Sequence, residues 1–289
     1  MAGGCQLHKD TKNQFNIGTY SNIPLRLGQV DFINCLPINL PIELGEVKVN
    51  AEIVKGVPSK LNQMILKGDI DIAPVSSLTY IENKDKLVPI GDLCISSNGP
   101  SDSVLLFSSF PIEELDGAKV ALSYASTTSN KLLEIIFKEF LKANAIFDIK
   151  NLSLQDLSKD YPAALFIGDH ALLEYSKMPR NIFIYDLGSL WKKYTGLPMV
   201  FGIWVIRKDV KAIHELPQFE NQLREAKEIG LGTMFDKVVQ KAQEKVLISK
   251  DFYNTYFQQL SYEFTDECKK GLEVFEQYCK KVTLIATHN

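Results

Sequence analysis

From Leu25 onward, short apolar runs with the period of a strand alternate with segments whose apolar residues recur every three or four positions, as on a helix. Leu25–Val30 alternates apolar and polar residues and predicts a half-buried strand; Val47–Val54 predicts a second. Pro58, Ser59 and Lys60 open a helix in which Leu61, Ile65 and Leu66 share a face, and Gly68 stops it. Ile70–Ala73 is a short strand leading into Pro74, Val75, Ser76 and Ser77. Val104–Phe107 is apolar throughout, as a strand covered on both faces is. The rhythm restarts after Pro111 with a strand over Ala118–Leu122 and a helix over Lys131–Leu141 carrying Leu132, Ile136 and Phe140. Strands follow at Ala163–Ile167, Ile182–Tyr185 and Met199–Ile206, the last long and apolar enough for the middle of a sheet. Past Ala212 the pattern is wholly helical, from Leu216, Phe219, Leu223 and Ala226 to Leu272, Phe275, Tyr278 and Cys279.

Alternating strands and helices predict an α/β protein with mainly parallel sheets. Two such series and a helical tail predict two lobes with a cleft between them. The expected division is an N-terminal extension over 1–24, a first lobe from 25–107 plus 206–289, and a second lobe from 108–205. No internal repeat or low-complexity tract interrupts this plan.

Composition narrows the function. The 289 residues are 45% hydrophobic and 23% charged, the balance of a soluble globular protein. A net charge of −3 gives no electrostatic reason to bind nucleic acid or an anionic membrane, so an anionic ligand needs a local site. Cys5, Cys35, Cys94, Cys268 and Cys279 form no CxxC pair and have no His at ligand spacing. They are expected to be reduced thiols, with no structural zinc, and no metal or organic cofactor is expected. No apolar run approaches the roughly 20 residues that span a bilayer. Gly3-Gly4-Cys5 resembles a lipoprotein cleavage site but lacks the apolar segment before it, so the expected location is the cytosol.

Chemistry could reside at several strand ends. Ser126, Thr127, Thr128 and Ser129 follow a strand and open a helix, where hydroxyls, free N–H groups and the positive helix end either cap the helix or hold an anion. Gly168 permits close backbone approach, and Asp169 caps a helix or accepts a ligand hydroxyl. Ser103 ends the turn Asn98–Ser103, Asn34 follows the first strand, and Ser76 lies after the third. A lone His170 reads as a surface or supporting residue; His8, His214 and His288 have no supporting context, and Lys192-Lys193 reads as a solvated face. No P-loop, GxGxxG, HExxH or GxSxG is present. The residues by themselves lead to a two-lobed protein that binds a small anion in its cleft.

The same segments, in the same order, resemble the chorismate dehydratases of the futalosine route to menaquinone. They are Gly28–Pro37, Gly68–Val75, Gly99-Pro100 with Ser103, Val120–Leu122 with Ser126–Ser129, Leu165–Asp169, and Asp186–Trp191 with Thr195–Pro198 and Val200–Trp204. The likeness runs from about Leu25 to Arg207 and is less distinctive in the helical tail. It implies the type 2 periplasmic-binding-protein-like fold and a hydro-lyase that takes chorismate to 3-[(1-carboxyvinyl)oxy]benzoate and water. It also implies central roles for Asn34 and Ser103; the expected substrate-binding residues are Ser76, Ser126, Thr127, Thr128, Ser129, Gly168 and Asp169. The family's Ser-Arg-Thr-Ser stretch has Thr127 in place of its Arg here, which leaves Lys131 and Lys60 as candidate cations. The 1,4-dihydroxy-6-naphthoate synthases of the same pathway resemble this chain too, but carry a His-Glu-Gly segment where it reads Ile167-Gly168-Asp169. A non-catalytic anion receptor and a ligand-sensing domain are the alternatives outside catalysis.

Overall fold

Leu25 and Leu27, alternating with polar neighbours, form the first strand of a computed structural model that describes residues 24–210 and 216–286. The extension read over 1–24 lies outside these residues except for Pro24, as do His8, His214 and His288. In chain order come β1 (Leu25–Val30), α1 (Leu36–Glu43), β2 (Ala51–Gly56), α2 (Pro58–Lys67), β3 (Ile72–Ser76), α3 (Ser77–Glu82) and β4 (Leu87–Ser97). Then follow β5 (Val104–Ser108), β6 (Lys119–Leu122), α4 (Thr127–Ile135), β7 (Ile146–Ile149), β8 (Ala163–Ile167), α5 (Gly168–Ser176) and β9 (Phe183–Asp186). The rest is α6 (Leu187–Thr195), β10 (Met199–Arg207), α7 (Leu216–Leu231), α8 (Phe235–Lys245), α9 (Lys250–Gln259), β11 (Leu260–Glu263) and α10 (Asp266–Ala286).

Local chemistry accounts for the boundaries. Pro58 opens α2, where its missing N–H costs nothing, and Gly68 closes it in the left-handed conformation at φ +85°. Leu61 and Ile65 are buried on this helix, whereas Leu66 faces solvent. The helix expected over Lys131–Leu141 begins four residues earlier, at Thr127 after the Ser126 cap, and finishes in a π-helical stretch over Ile136–Leu141.

The strands make two sheets, ordered β11-β4-β10-β3-β1-β2 and β7-β6-β8-β5-β9. Both are mixed rather than mainly parallel. β1 pairs in parallel with β2 and β3, and β6 with β7 and β8. β10 runs antiparallel to β3 and β4, and β5 antiparallel to β8 and β9. The reason is the path of the chain. β4 ends at the cleft, and the next strand, β5, must leave from it in the other sheet; β9 and β10 make the return trip. The carboxyl ends of β1, β3, β4, β6 and β8 therefore all meet at the cleft, where open α/β sheets bind their ligands.

The crossings fall at residues 98–103 and 187–198, not near Ser108 and Val205 as the expected lobe boundaries had them. Val104–Ser108 belongs to the second sheet and Met199–Arg207 to the first. An apolar run covered on both faces reads the same in either sheet, so its pattern does not assign it. The tail is divided as well: Phe275, Cys279 and Val282 of α10 pack with Leu132, Leu133 and Trp191 in the second lobe's core. Helices α7, α8 and α9 build the first lobe, where Gly230 lets α7 ride directly on α1; a Cβ there would lie 1.9 Å from the Pro37 carbonyl oxygen. No helix among the described residues is long and apolar enough to cross a membrane.

Candidate active site

Between the sheets lies a cleft with an empty volume of about 660 Å³, open at its mouth. Asn34, Ser76, Ser101, Ser103, Ser126 and Ser129 supply its polar lining; Phe32, Pro58, Pro74, Ile95, Ile167, Phe201 and Leu260 are among its apolar walls. Among the described residues, no Lys, Arg, Asp or Glu lines it. An anion in this space would meet hydroxyls, an amide and the first turn of α4.

Each polar group is held by its own element. Ser126 caps α4, accepting from the Ser129 N–H at 3.2 Å, and its hydroxyl lies 3.0 Å from that of Ser129. Ser76 caps α3 and is gripped by Asn62, whose Nδ2 donates to Ser76 Oγ and whose Oδ1 accepts from Ser76 N–H, both at 3.2 Å. Asn34 sits in the 3₁₀ turn between β1 and α1; its main-chain carbonyl accepts from the Tyr262 hydroxyl at 2.9 Å. Its Oδ1 is buried without a hydrogen-bond partner among the described residues, a costly state for an acceptor.

Ser103 stands where the chain crosses. Its carbonyl accepts from Gly168 N–H at 2.7 Å, and its Oγ accepts from the Tyr256 hydroxyl at 3.1 Å and donates to the Ser101 carbonyl at 3.2 Å. The turn is braced by Asp186, whose Oδ2 accepts from Ser101 N–H, Ser101 Oγ and Asp102 N–H, while Oδ1 caps α6 at Ser189 N–H. Burial pushes the Asp186 carboxyl up despite these bonds. Asp102, left-handed at φ +52°, is pushed up to about 6 by burial first and the Asp186 charge second.

That shift has a measurable sign. An acid with a raised pKa in the folded state favours folding when protonated, below its unfolded value near ~4, and loses that advantage as pH rises through about 6. Asp102→Asn, which tolerates the left-handed backbone, should therefore stabilise the protein by about 1 kcal/mol at pH ~8, allowing for partial exposure, and not at pH ~4. Urea unfolding at the two pH values checks this; equal gains at both would show that the charge is not the cause.

Residues 25–281 match the family model described as menaquinone biosynthesis. The chain belongs to that family. Among curated relatives, the chorismate dehydratase of Thermus thermophilus is 28% identical over 88% of this chain and 94% of its own. That of Campylobacter jejuni is 31% identical over 61% of this chain and 64% of its own. The 1,4-dihydroxy-6-naphtoate synthase of Thermus thermophilus is 25% identical over 52% of this chain and 53% of its own. The resemblance to chorismate dehydratases is thus borne out, from β1 into the helical tail. Of solved structures, protein AF1704 from Archaeoglobus fulgidus superposes with a TM-score of 0.74 at 16% identity, covering 90% of this chain and 98% of that one. The periplasmic aliphatic sulphonate binding protein SsuA of Escherichia coli gives 0.62 at 11%, covering 91% and 87%. The fold is the periplasmic-binding-protein type.

In this member of the menaquinone biosynthesis family, Asn34, Ser76, Ser103, Ser126, Ser129 and Gly168 converge on the cleft. Thr127, Thr128 and Asp169 do not line it; they join the lobes. Thr127 Oγ1 lies 3.3 Å from Ser76 Oγ, and Thr128 Oγ1 accepts from Leu78 N–H at 2.9 Å. Asp169 accepts from Ile33 N–H at 2.7 Å and pairs with Lys245 of α8 at 2.9 Å, while Gly168, at φ +57°, lies against the Phe32 ring. The candidate cations stand elsewhere: Lys131 pairs with Glu134, and Lys60 is exposed. His170 packs on Phe166 and lies 3.5 Å from Glu174. Sequence reasoning missed Tyr256, Tyr262 and Lys245, whose partners are distant along the chain, and gave Asp186 no role beyond its place in a family segment. Among the described residues no three His, Cys, Asp or Glu side chains are grouped to hold a metal, and Cys35, Cys94, Cys268 and Cys279 are buried free thiols.

Proposed function

We propose that the protein is a chorismate dehydratase, a hydro-lyase forming 3-[(1-carboxyvinyl)oxy]benzoate and water. The observation that carries this is a cleft in which Asn34 and Ser103, the two positions singled out by the family resemblance, face the Ser126–Ser129 turn across a space that the described residues line with neutral groups alone. The relatives matching over most of the chain support the same reaction.

The elimination asks little of the protein. The electron pair of a ring C–H bond becomes the last π bond of an aromatic ring, the neighbouring C–O bond breaks, and the departing hydroxide leaves as water. The aromatic product supplies the driving force. What remains is to orient a dianion, accept one proton and assist the leaving oxygen. The α4 N-terminus with Ser126 and Ser129 suits one carboxylate, since hydrogen bonds to a charged acceptor are the strong ones. Ser103 suits the other carboxylate or the leaving oxygen as a donor. Asn34 is too weak a base at neutral pH and serves to orient and polarise. A cleft without fixed cations holds the carboxylates by dipoles and hydroxyls. This leaves the substrate's own enolpyruvyl carboxylate basic enough to take the ring proton.

A naphthoate synthase reading finds no support in the cleft, because Gly168 and Asp169 stand where that enzyme's His would be and His170 does not line the space. The test is to incubate purified protein with chorismate and follow products by mass spectrometry. Loss of one water supports the proposal. Chorismate bound but unchanged makes the protein a receptor and ends it.

A further inference from the structure

We propose that Tyr256 is a positioning residue for the reaction, setting the direction in which Ser103 gives its proton; this rests on the dehydratase reading of the same cleft. Tyr256 is 1% exposed, and the Ser103 Oγ at 3.1 Å is the sole partner of its hydroxyl among the described residues. A buried phenol O–H with one available acceptor must donate to it or lose the bond. The Tyr256–Ser103 bond is therefore directional. Ser103 Oγ spends one lone pair on Tyr256 and keeps one proton.

In the structure that proton goes to the Ser101 carbonyl at 3.2 Å, a long contact for a hydroxyl. Ser101 cannot shift to shorten it, because Asp186 holds its N–H and its hydroxyl. A carboxylate or departing hydroxide in the cleft is the stronger acceptor. The Ser103 proton therefore turns from the carbonyl to the substrate while the bond from Tyr256 stays in place. Tyr256 selects one of the three staggered positions open to a serine hydroxyl and polarises the O–H that Ser103 offers. It does not take the substrate's proton itself, since complete burial drives its own ionisation far above neutrality.

The ring is held independently of its hydroxyl. Phe252 stacks on it at 6.0 Å between centroids, and Tyr253 and Phe257 pack against it at 6.2 and 5.2 Å. Tyr256→Phe thus removes the donor and leaves the packing. Tyr253 provides the matched control: it is equally buried on the same helix, but its hydroxyl donates to the Val246 carbonyl at 2.7 Å.

The experiment measures kcat and KM for chorismate dehydration by the unaltered protein, Tyr256→Phe, Ser103→Ala, the double variant and Tyr253→Phe, each with its thermal midpoint. The expected result is a five- to tenfold loss of kcat/KM in Tyr256→Phe, mostly in kcat. Little further loss should follow when it is added to Ser103→Ala. Tyr253→Phe should lower the midpoint and leave kcat/KM unchanged. An active parent in which Tyr256→Phe is as fast as wild type, or in which the two substitutions multiply, overturns the role of Tyr256 alone. A parent that leaves chorismate intact overturns the dehydratase reading, and the positioning role falls with it.

Discussion

Asn34→Asp should reduce kcat/KM for chorismate by about a thousandfold at pH ~8, with the fold intact. The substitution preserves size and puts a negative charge on the wall of a cleft that no Lys or Arg of the described residues lines. Two like charges ~4 Å apart repel by about 4 kcal/mol at the effective dielectric of such sites, close to three factors of ten in rate. The sign with pH follows from the same cause. A carboxyl placed there titrates above its ordinary value, so at pH ~5 much of it is neutral and the gap to wild type should narrow. Asn34→Ala should shift the thermal midpoint little, because the Asn34 side chain sits outside the two lobe cores and its Oδ1 has no partner to lose. Rate–pH profiles and thermal midpoints for both variants decide the matter. A wild-type rate in Asn34→Asp, or inactivity caused only by unfolding, removes the case for Asn34.

The second large effect concerns closure. Asp169 reaches from the second lobe to the first with two charge-assisted bonds, to Ile33 N–H and to Lys245, which also grips Asp31. Charge-assisted bonds are worth roughly 1.5–3 kcal/mol each when well sheltered, and these side chains are about three-quarters buried (Asp169 23% exposed, Lys245 24%). Removing them in Asp169→Ala should shift the lobes towards an open form and weaken chorismate binding by about ten- to a hundredfold, since apparent affinity falls with the closed fraction. Asp169→Asn keeps an acceptor for Ile33 and should lose less. Small-angle scattering of the ligand-free variants would show the larger radius of an opened molecule. Unchanged affinity together with an unchanged scattering profile would mean that the latch carries no closure energy.

These two residues illustrate what could be read in advance. Asn34, Ser103, Ser126 and Ser129 lie at strand ends, and the strand–helix rhythm alone brings such ends to one cleft. Ser126 as helix cap and Gly68 as helix stop followed from residue chemistry. Asp169 at the start of a helix looked like a cap, yet its bonds go 136 residues back and 76 forward to Lys245 (245 − 169), separations to which local pattern is blind. Thr127 and Thr128 share their composition with Ser126 and Ser129, and only helix rotation sends one pair to the seam and the other to the cleft. β4 escaped the period-two signal because Pro89, and Gly91 and Asp92 with positive φ, break its alternation and its register with β10. β11 is four residues long and embedded in a helical tail. Tyr256 reads as one more core aromatic until its hydroxyl is seen to reach Ser103.

The seating of α10 in the second lobe bears on how the chain is made. Strands β5 to β9 leave the ribosome well before Phe275, Cys279 and Val282, which complete the core over Leu132 and Trp191. The middle of the protein must wait, partly assembled and with apolar surface uncovered, until α10 has been made. That interval is when such surface invites chaperones or aggregation. Loss of α10 would therefore be felt in the lobe built from β5 to β9, far upstream of the change itself.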